Sequence, residues 1–322
     1  MFPAKQDLTI CFAHAAYQMQ ARFDLRKSGI RNFQVWSYDD FQKRVGEADV
    51  VVVSGMWKND LIPSAGKLKF IQSISSGMDQ YSKEQLAAKN VRLASAAGVN
   101  ARAVAEHAIA LTLAVARRLP EARDNQHKKL WRGMIGDLTQ REDELGGKTM
   151  LVVGMGRIGS HLAMLGKAFG MKVIGIRQDP AKGANGADSI HAMGELVKLV
   201  PQADIVALTC ALTPETTGLM SAAAFAAMKP SAMFVNVARG KVADEVALTA
   251  TMKAGKIAAA ALDVTAEEPL TEASPLWTMP NVFITPHTAG ETRAYEDNVL
   301  DILIENLERL WKGDQVLRNQ VL

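Results

Sequence analysis

Short apolar runs alternate with polar, helix-compatible stretches through the first hundred residues. The runs predict strands at 8–12, 33–36, 50–54 and 70–74. Because the intervals between them are long enough for helices, this part of the chain is expected to form a small α/β unit.

The same alternation becomes strict from Lys148 onward. Apolar runs predict six strands with helical stretches between them, at 149–153, 172–176, 204–209, 232–237, 257–263 and 282–285. A βαβαβ series of this kind predicts a parallel, doubly wound sheet of the Rossmann type. The fold class is therefore α/β, with two domains: this sheet for a cofactor and a smaller, flavodoxin-like α/β domain.

Longer helices are predicted outside this series. The run 101–119 is apolar on nearly every face and is expected to stop at Pro120. Residues 121–147 are polar and are expected to be irregular, whereas 291–311 predict one long amphipathic helix. After the strand at 149–153, a helical stretch would place four apolar side chains on one face: Ile158, Leu162, Leu165 and Phe169.

A glycine-rich turn joins that strand and that helix. Gly154, Gly156 and Gly159 form a GxGxxG motif, which alone is weak evidence because tight turns often contain glycine. Here the motif follows a strand, opens a helix and precedes a second strand, as in dinucleotide-binding units. The first glycine permits the turn, the second admits a pyrophosphate and the third lets helix and strand pack closely. The free amides at the helix start would face the phosphates.

The residue that ends the second strand bears on which dinucleotide binds. Units that bind NAD normally carry an Asp or Glu there for the ribose hydroxyls. This chain has Arg177, whose guanidinium would instead pair with the 2′-phosphate of NADP. Asp179 keeps NAD possible, and Arg177 could simply be a solvated surface residue. The pattern favours NADP, with NAD as the alternative.

Arg239, Glu268 and His287 each follow one of the last three predicted strands. Any one of them could be an ordinary surface or structural residue. Ligands of open α/β sheets bind beyond the carboxyl ends of the strands, however, so three such residues at one edge indicate a single site.

The chemistry of these three side chains is consistent with reduction of a 2-oxo acid. Arg239 would hold a carboxylate and a neighbouring carbonyl oxygen through its planar fork. His287 would donate a proton to that oxygen while a nicotinamide delivers hydride, and Glu268 would orient the imidazole.

Composition and charge exclude several other classes. The chain has 322 residues, which indicates two domains, and 37 basic against 34 acidic residues, which is too balanced to favour nucleic acid or a membrane surface. The start of the chain shows no signal-peptide pattern, and Cys11 and Cys210 form no disulfide framework. The six histidines lack metal-ligand spacing, so no metal site is expected. We therefore expect a cytoplasmic protein.

Five motifs together resemble those of D-isomer-specific 2-hydroxyacid dehydrogenases, and the likeness extends along essentially the whole chain. The motifs are VVGMGRIGSHLA, LTPETTGLM, FVNVARGKVADEVAL, ALDVTAEEPL and ITPHTAG. The glutamate in the fourth motif differs from the formate dehydrogenases of the superfamily, which have glutamine there. With Arg177, the chain resembles the NADP-preferring glyoxylate and hydroxypyruvate reductases.

The resemblance implies roles for particular residues and segments. The catalytic set would be Arg239, Glu268 and His287. Ser76 and Gly77 would help to hold the substrate carboxylate through backbone amides, and Arg239 and His287 would also contact the substrate. Residues 1–100 and 292–322 would form the substrate domain, and 101–291 the dinucleotide-binding domain. The cofactor-binding residues would be Gly154, Gly156, Arg157, Ile158, Gly159, Arg177, Thr209, Ala238, Asp263 and Gly290.

These observations predict an oxidoreductase that interconverts 2-oxo acids and D-2-hydroxy acids of the glyoxylate or hydroxypyruvate type. NADPH is the favoured cofactor, and the resemblance implies a homodimer. The alternative is a dinucleotide-sensing interaction protein with little or no catalysis, because co-repressors share this scaffold.

Overall fold

The computed structural model describes residues 2–78 and 80–322. The chain forms two compact units. The first comprises Met1–Asn100 and Thr292–Leu322, and the second comprises Ala101–Glu291. Among the described residues, no helix combines the length and the apolar character needed to cross a membrane.

The part of the chain that the structure describes contains twelve strands, all short. They are β1 (Thr9–Ala13), β2 (Arg31–Val35), β3 (Val50–Val53), β4 (Phe70–Ser73), β5 (Arg92–Ala94), β6 (Thr149–Val153), β7 (Lys172–Arg177), β8 (Ser189–Ala192), β9 (Ile205–Leu208), β10 (Met233–Asn236), β11 (Ala259–Leu262) and β12 (Val282–Ile284).

Ten α-helices lie among the described residues. They are α1 (Met19–Asp24), α2 (Tyr38–Arg44), α3 (Lys83–Ala88), α4 (Ala101–Ala116), α5 (Leu119–His127), α6 (Arg157–Ala168), α7 (Leu196–Leu199), α8 (Ala222–Ala226), α9 (Glu245–Lys253) and α10 (Tyr295–Lys312).

The first unit is built on a five-stranded parallel sheet with the order β2-β1-β3-β4-β5. This is the flavodoxin-like order. Successive residues of its central strands enter opposite cores: Val50 and Val52 join one buried cluster, and Val51 and Val53 join the other. The sheet is therefore covered on both faces, as parallel sheets require. Helix α10 packs on the first of these faces through Val299 and its apolar neighbours.

The second unit is built on a seven-stranded parallel sheet with the order β12-β11-β10-β9-β6-β7-β8. The order reverses between β6 and β9, as in a doubly wound Rossmann sheet. Its two faces are also both buried, with Leu151 and Val153 in one core and Met150 and Val152 in the other. The α/β fold with two parallel sheets, predicted from the alternation of apolar runs, is confirmed.

Several local predictions were wrong. Pro120 does not stop a helix: α4 ends at Ala116, and Pro120 lies in the first turn of α5. Proline is well tolerated there because the first helical amides have no intrahelical partner. Part of the segment expected to be irregular is therefore helical. Phe169 does not lie on the buried face of α6, because it forms the C-terminal cap and is 42% exposed.

The strands β5 and β8 were not predicted. Strand β5 has three residues, and β8 reads SIHA with no fully buried side chain, so neither shows an apolar run. The last helix begins at Tyr295, four residues later than expected.

Candidate active site

The glycine turn follows β6 and is held by contacts with the two strands that flank β6. Gly154 has φ of 107°, and a Cβ atom there would lie 2.4 Å from the backbone nitrogen of Cys210. Its N–H donates to the carbonyl oxygen of Ile176 at 2.8 Å. Only glycine satisfies both the positive φ and the close approach. The turn is therefore held by backbone contacts to the ends of β7 and β9.

The second glycine of the turn has a different surrounding. Gly156 is the N-cap of α6, and a Cβ atom there would meet nothing within 4 Å. Gly156 has no side chain to cap the helix, so the first amides of α6, at Arg157, Ile158 and Gly159, receive no side-chain cap. An open position beside a helix N-terminus suits a pyrophosphate, so these residues fit a dinucleotide.

Thr209 lies beneath the turn. Its side chain is buried, and its hydroxyl lies 2.8 Å from the carbonyl oxygen of Gly154. A Cβ atom on Gly159 would lie 2.3 Å from that same carbonyl oxygen. Thr209 thus supports the turn, and its direct contact with a cofactor stays a prediction.

Arg177 is the last residue of β7 and is half-buried. Its Nη1 donates to the carbonyl oxygen of Gly183 at 3.0 Å. The carboxylate of Asp179 has a local partner instead, since it caps the following 3-10 turn by accepting from the amide of Ala181 at 3.1 Å. At the end of β7, Asp179 therefore caps a turn, whereas Arg177 does not.

His287 and Glu268 form a direct pair. The Nδ1 atom of His287 lies 2.7 Å from Oε2 of Glu268. The other carboxylate oxygen, Oε1, accepts from the amide of Thr265 at 3.1 Å, which holds Glu268 in place. Because a carboxylate only accepts, Nδ1 carries a hydrogen, and Nε2 is the nitrogen that can act on a substrate.

The backbone of His287 is also unusual. Its φ is 55°, in the left-handed region that non-glycine residues seldom adopt. Such a conformation costs about 1–3 kcal/mol and persists only where neighbouring contacts hold it. Here the His287 amide donates to the carbonyl oxygens of Asp263, at 2.8 Å, and of Thr285, at 3.0 Å.

Arg239 follows the adjacent strand β10 and is exposed. The buried side chain of Asn236 shapes its loop: Oδ1 accepts from the amide of Ala238 at 3.0 Å, and Nδ2 donates to the carbonyl oxygen of Arg239 at 3.2 Å. A Cβ atom on Gly240 would fall 1.9 Å from the carbonyl carbon of Thr265. The arginine loop therefore touches the loop that carries Glu268.

Asp263 is almost fully buried and serves the loop of His287. Its Oδ1 accepts from the Thr285 hydroxyl at 2.7 Å and from the Thr288 amide at 3.0 Å, and Oδ2 accepts from the Ala289 amide at 3.1 Å. Burial disfavours the charge, but the nearby His107 imidazole and the hydrogen bonds from Thr285 and these amides outweigh it and keep the pKa of Asp263 below its ordinary value. Of the other predicted residues, Ala238 lies in the loop of Arg239 and Gly290 lies in the loop of His287.

Ser76 and Gly77 belong to the first unit and follow β4. Their loop is held by serine hydroxyls: Ser54 Oγ donates to Ser75 Oγ at 2.8 Å, and Ser75 Oγ donates to the carbonyl oxygen of Gly77 at 2.9 Å. The structure thus shows a loop with internal hydrogen bonds, and its role in holding a substrate stays a prediction.

Sequence reasoning missed four residues whose side chains form hydrogen bonds at these loops: His107, Asn236, Glu245 and Thr285. Glu245 Oε2 accepts from the amide of Ala266 at 2.7 Å and so fixes the glutamate loop from α9. Asn236 ends an otherwise apolar strand, and His107 interrupts an apolar helix, which are signals that a buried polar contact was needed. Thr285 carried no such signal.

A comparison with protein families bears on this geometry. The family described as "D-isomer specific 2-hydroxyacid dehydrogenase, NAD binding domain" matches residues 109–289, more than half of the chain. The matched stretch contains the glycine turn and all three strand-end side chains. The chain belongs to the D-isomer specific 2-hydroxyacid dehydrogenase family. The resemblance inferred from the five motifs is confirmed.

Individual members of the family differ in length and in name. D-3-phosphoglycerate dehydrogenase of Methanocaldococcus jannaschii is 34% identical over 283 residues, covering 86% of this chain and 52% of that protein. The chain thus spans about half the length of that relative. Glyoxylate/hydroxypyruvate reductase B of Klebsiella pneumoniae (strain 342) is 37% identical over 268 residues, covering 80% of this chain and 81% of that protein.

A solved structure shows the same architecture. The D-isomer specific 2-hydroxyacid dehydrogenase family protein from Aeromonas salmonicida subsp. salmonicida A449 superposes with a TM-score of 0.84 and is 29% identical. The match covers 98% of this chain and 99% of that one.

Because the position beside Gly156 is open, a substitution there tests whether this member of the family binds a dinucleotide at the glycine turn. In a Gly156→Ala variant the added Cβ meets no protein atom, so the free energy of unfolding should stay within about 0.5 kcal/mol of wild type. The methyl group would obstruct a pyrophosphate, so NADPH and NADH should bind at least about tenfold more weakly, a loss of roughly 1.4 kcal/mol. Fluorescence titration and denaturant unfolding measure the two quantities.

Gly194→Ala is the matched control, because a Cβ atom there also meets nothing and the residue lies outside the turn. Unchanged dinucleotide affinity in Gly156→Ala would contradict the placement of the pyrophosphate.

Proposed function

We propose that this chain is a reductase of small 2-oxo acids that yields D-2-hydroxy acids, with glyoxylate or hydroxypyruvate as the substrate type and NADPH as the preferred cofactor. The observation that carries the proposal is the 2.7 Å contact between His287 Nδ1 and Glu268 Oε2, beside the loop of Arg239. The likeness to glyoxylate/hydroxypyruvate reductase B supports the substrate type.

Each side chain has a defined task in this proposal. The guanidinium of Arg239 holds the substrate carboxylate and polarises the carbonyl oxygen next to it. A bound nicotinamide dinucleotide supplies the hydride that reaches the carbonyl carbon. His287, protonated on both nitrogens, gives its Nε2 proton to the carbonyl oxygen and is left neutral with its hydrogen on Nδ1. Glu268 accepts that hydrogen throughout, so the ring keeps its orientation.

NADPH is preferred in the proposal because of the charges that surround the glycine turn. Arg157 follows Gly156, Arg177 ends β7, and Lys182 closes the next 3-10 turn. Asp179 is engaged in capping that turn. Cations favour a 2′-phosphate, whereas a free carboxylate would repel it.

A homodimer and a cytoplasmic location are further parts of the proposal. The segment after α5 exposes large apolar side chains, with Trp131 at 98% and Met134 at 103% exposure. Contiguous exposed apolar groups mark surfaces that bind protein, and symmetric pairing of two copies is the commonest arrangement. Cys11 and Cys210 are free and buried, in keeping with a reducing compartment.

Replacing Arg239 with alanine tests the assignment of substrate binding. Steady-state assays would use glyoxylate, hydroxypyruvate, pyruvate, phenylpyruvate and, in the oxidative direction, D-3-phosphoglycerate, each with both cofactors. Arg239→Ala should lower turnover by about 10²–10³-fold through loss of the charged fork, while leaving the Kd for NADPH nearly unchanged. Lys241→Ala, which removes an exposed cation from the same turn, is the control.

Wild-type activity in Arg239→Ala would mean that the assignment is wrong. If the wild-type protein bound the dinucleotide tightly but turned over none of these acids, the alternative hypothesis of a dinucleotide-sensing protein would replace that of a reductase.

The cofactor preference is tested at Arg177. Arg177→Ala should raise the KM for NADPH about tenfold or more, since a charge-assisted hydrogen bond contributes about 1.5–3 kcal/mol, and should leave the KM for NADH almost unchanged. Lys172→Ala removes a cation from the opposite end of the same strand and should alter neither KM. A wild-type preference for NADH would contradict the role given to Arg177.

The dimer is tested by charging the exposed apolar segment. Trp131→Glu and Met134→Glu should each shift sedimentation from dimer to monomer, because a carboxylate buried in an apolar contact is strongly disfavoured. Trp277→Glu, at a tryptophan that is 52% exposed in another part of the chain, should not. A wild-type chain that sediments as a monomer would overturn this part of the proposal.

A further inference from the structure

His107, on helix α4, meets the loop of His287 from outside the strand-end loops. Its Nε2 lies 2.9 Å from the hydroxyl oxygen of Thr285 and 3.4 Å from Oδ1 of Asp263. The side chain of His107 is 24% exposed and that of Asp263 only 1%. The histidine is 178 residues away from Thr285 in the chain, so this contact joins distant segments.

The hydrogens of this cluster can be assigned from the donor inventory. A threonine hydroxyl has one hydrogen, and Thr285 donates it to Asp263 Oδ1 at 2.7 Å, because a carboxylate can only accept. The hydroxyl oxygen is then free to act only as an acceptor toward His107. Nε2 of His107 therefore carries a hydrogen and donates it to Thr285.

The carboxylate at the centre of this cluster holds the polypeptide on both sides of His287. Asp263 accepts from Thr285, which lies two residues before His287, and from the amides of Thr288 and Ala289, which follow it. The carbonyl oxygen of Asp263 also accepts from the amide of His287. Since the φ of His287 lies in the unfavourable left-handed region, the position of His287 depends on these hydrogen bonds to Asp263.

We propose that His107 is a positioning residue for His287. By donating from Nε2 to Thr285, it keeps the threonine hydrogen directed at Asp263 and so keeps the segment Thr285–Ala289 wrapped around that carboxylate. The inference rests on the proposed function only in that His287 is taken as the proton donor. His107 itself touches neither His287 nor Glu268 in any hydrogen bond among the described residues.

Three variants and a matched control test the role of His107. His107→Leu removes the donor, Thr285→Val removes the hydroxyl, and His107→Gln keeps an N–H group at about the distance of Nε2. His191→Leu is the control, because His191 is also partly exposed and lies 3.4 Å from a carboxylate, that of Glu195, outside this loop. The readouts are kcat and KM with NADPH and the best 2-oxo acid, and amide hydrogen exchange at Thr288 and Ala289.

We expect His107→Leu to lower kcat about tenfold, the effect of losing one buried hydrogen bond, with the KM for NADPH unchanged. Thr285→Val should lower kcat at least as much, because it also removes the hydrogen bond to Asp263. Exchange at Thr288 and Ala289 should become faster by about the same factor. Combining the two substitutions should lower kcat little further than Thr285→Val alone, because both remove the hydrogen bond between His107 and Thr285. His107→Gln should restore most of kcat and of the protection, and His191→Leu should resemble wild type.

The inference is overturned if His107→Leu matches wild type in both kcat and exchange, if the two losses are additive, or if His107→Gln is as impaired as His107→Leu. If His107→Leu fails to fold, Thr285→Val and His107→Gln still test whether His107 positions His287. A wild-type protein that reduces no 2-oxo acid would refute the proposed function, while exchange at Thr288 and Ala289 would still test the role of His107.

Discussion

The parallel pairing of β10, β11 and β12 is the constraint on which the candidate site depends. Their register places Asn236 beside Leu262 and Leu262 beside Ile284, so the three strands end abreast. The ladder continues for one more residue, since the amide of Asp263 donates to Asn236 and that of Thr285 donates to Leu262, both at 2.9 Å. Arg239, Glu268 and His287 then each lie only a few residues beyond the aligned strand ends. The separation of the loops is thus set by strand spacing, about 4.8 Å.

Backbone contacts convert that alignment into fixed loop positions. The arginine loop lies against Thr265 because Gly240 has no Cβ, and the glycine turn lies against Cys210 for the same reason. Buried polar side chains complete the arrangement, with Asn236 under one loop and Asp263 under another. Unpaired polar groups of this kind would each be destabilising by about 1–3 kcal/mol, so the loops satisfy them by adopting one conformation. The exposed side chains of Arg239, Glu268 and His287 are thereby carried by loops that buried, hydrogen-bonded polar groups hold in place.

The strand-end positions were predictable because they follow from two short-range signals, an apolar run and the charged residue after it. Parallel order then requires those residues to share one edge. Strand β8 and helix α5 were not predictable in this way, since SIHA has no apolar run and Pro120 gives the same signal after one helix as inside the next.

The contact of His107 with Thr285 depends on how α4 packs in the second unit, and no periodicity in the sequence encodes it. Likewise, the burial that distinguishes Asp263 from the exposed Glu268 appears only once β11 lies between two other strands.

The environments of these two carboxylates explain why they serve different purposes. Oδ1 of Asp263 accepts from Thr285 and Thr288 and Oδ2 accepts from Ala289, and these bonds from one loop favour its ionised form. Glu268 is bonded to backbone through Oε1 only, and Oε2 is directed to His287.

A glutamine at 268 would have a single acceptor oxygen, so its amide hydrogens would face either the amide of Thr265 or the hydrogen on Nδ1 of His287. Because each of the two oxygens faces a donor, both must be acceptors, which a carboxylate provides and an amide does not. That requirement, rather than charge alone, connects Glu268 to His287, whose Nδ1 carries the hydrogen that Oε2 accepts.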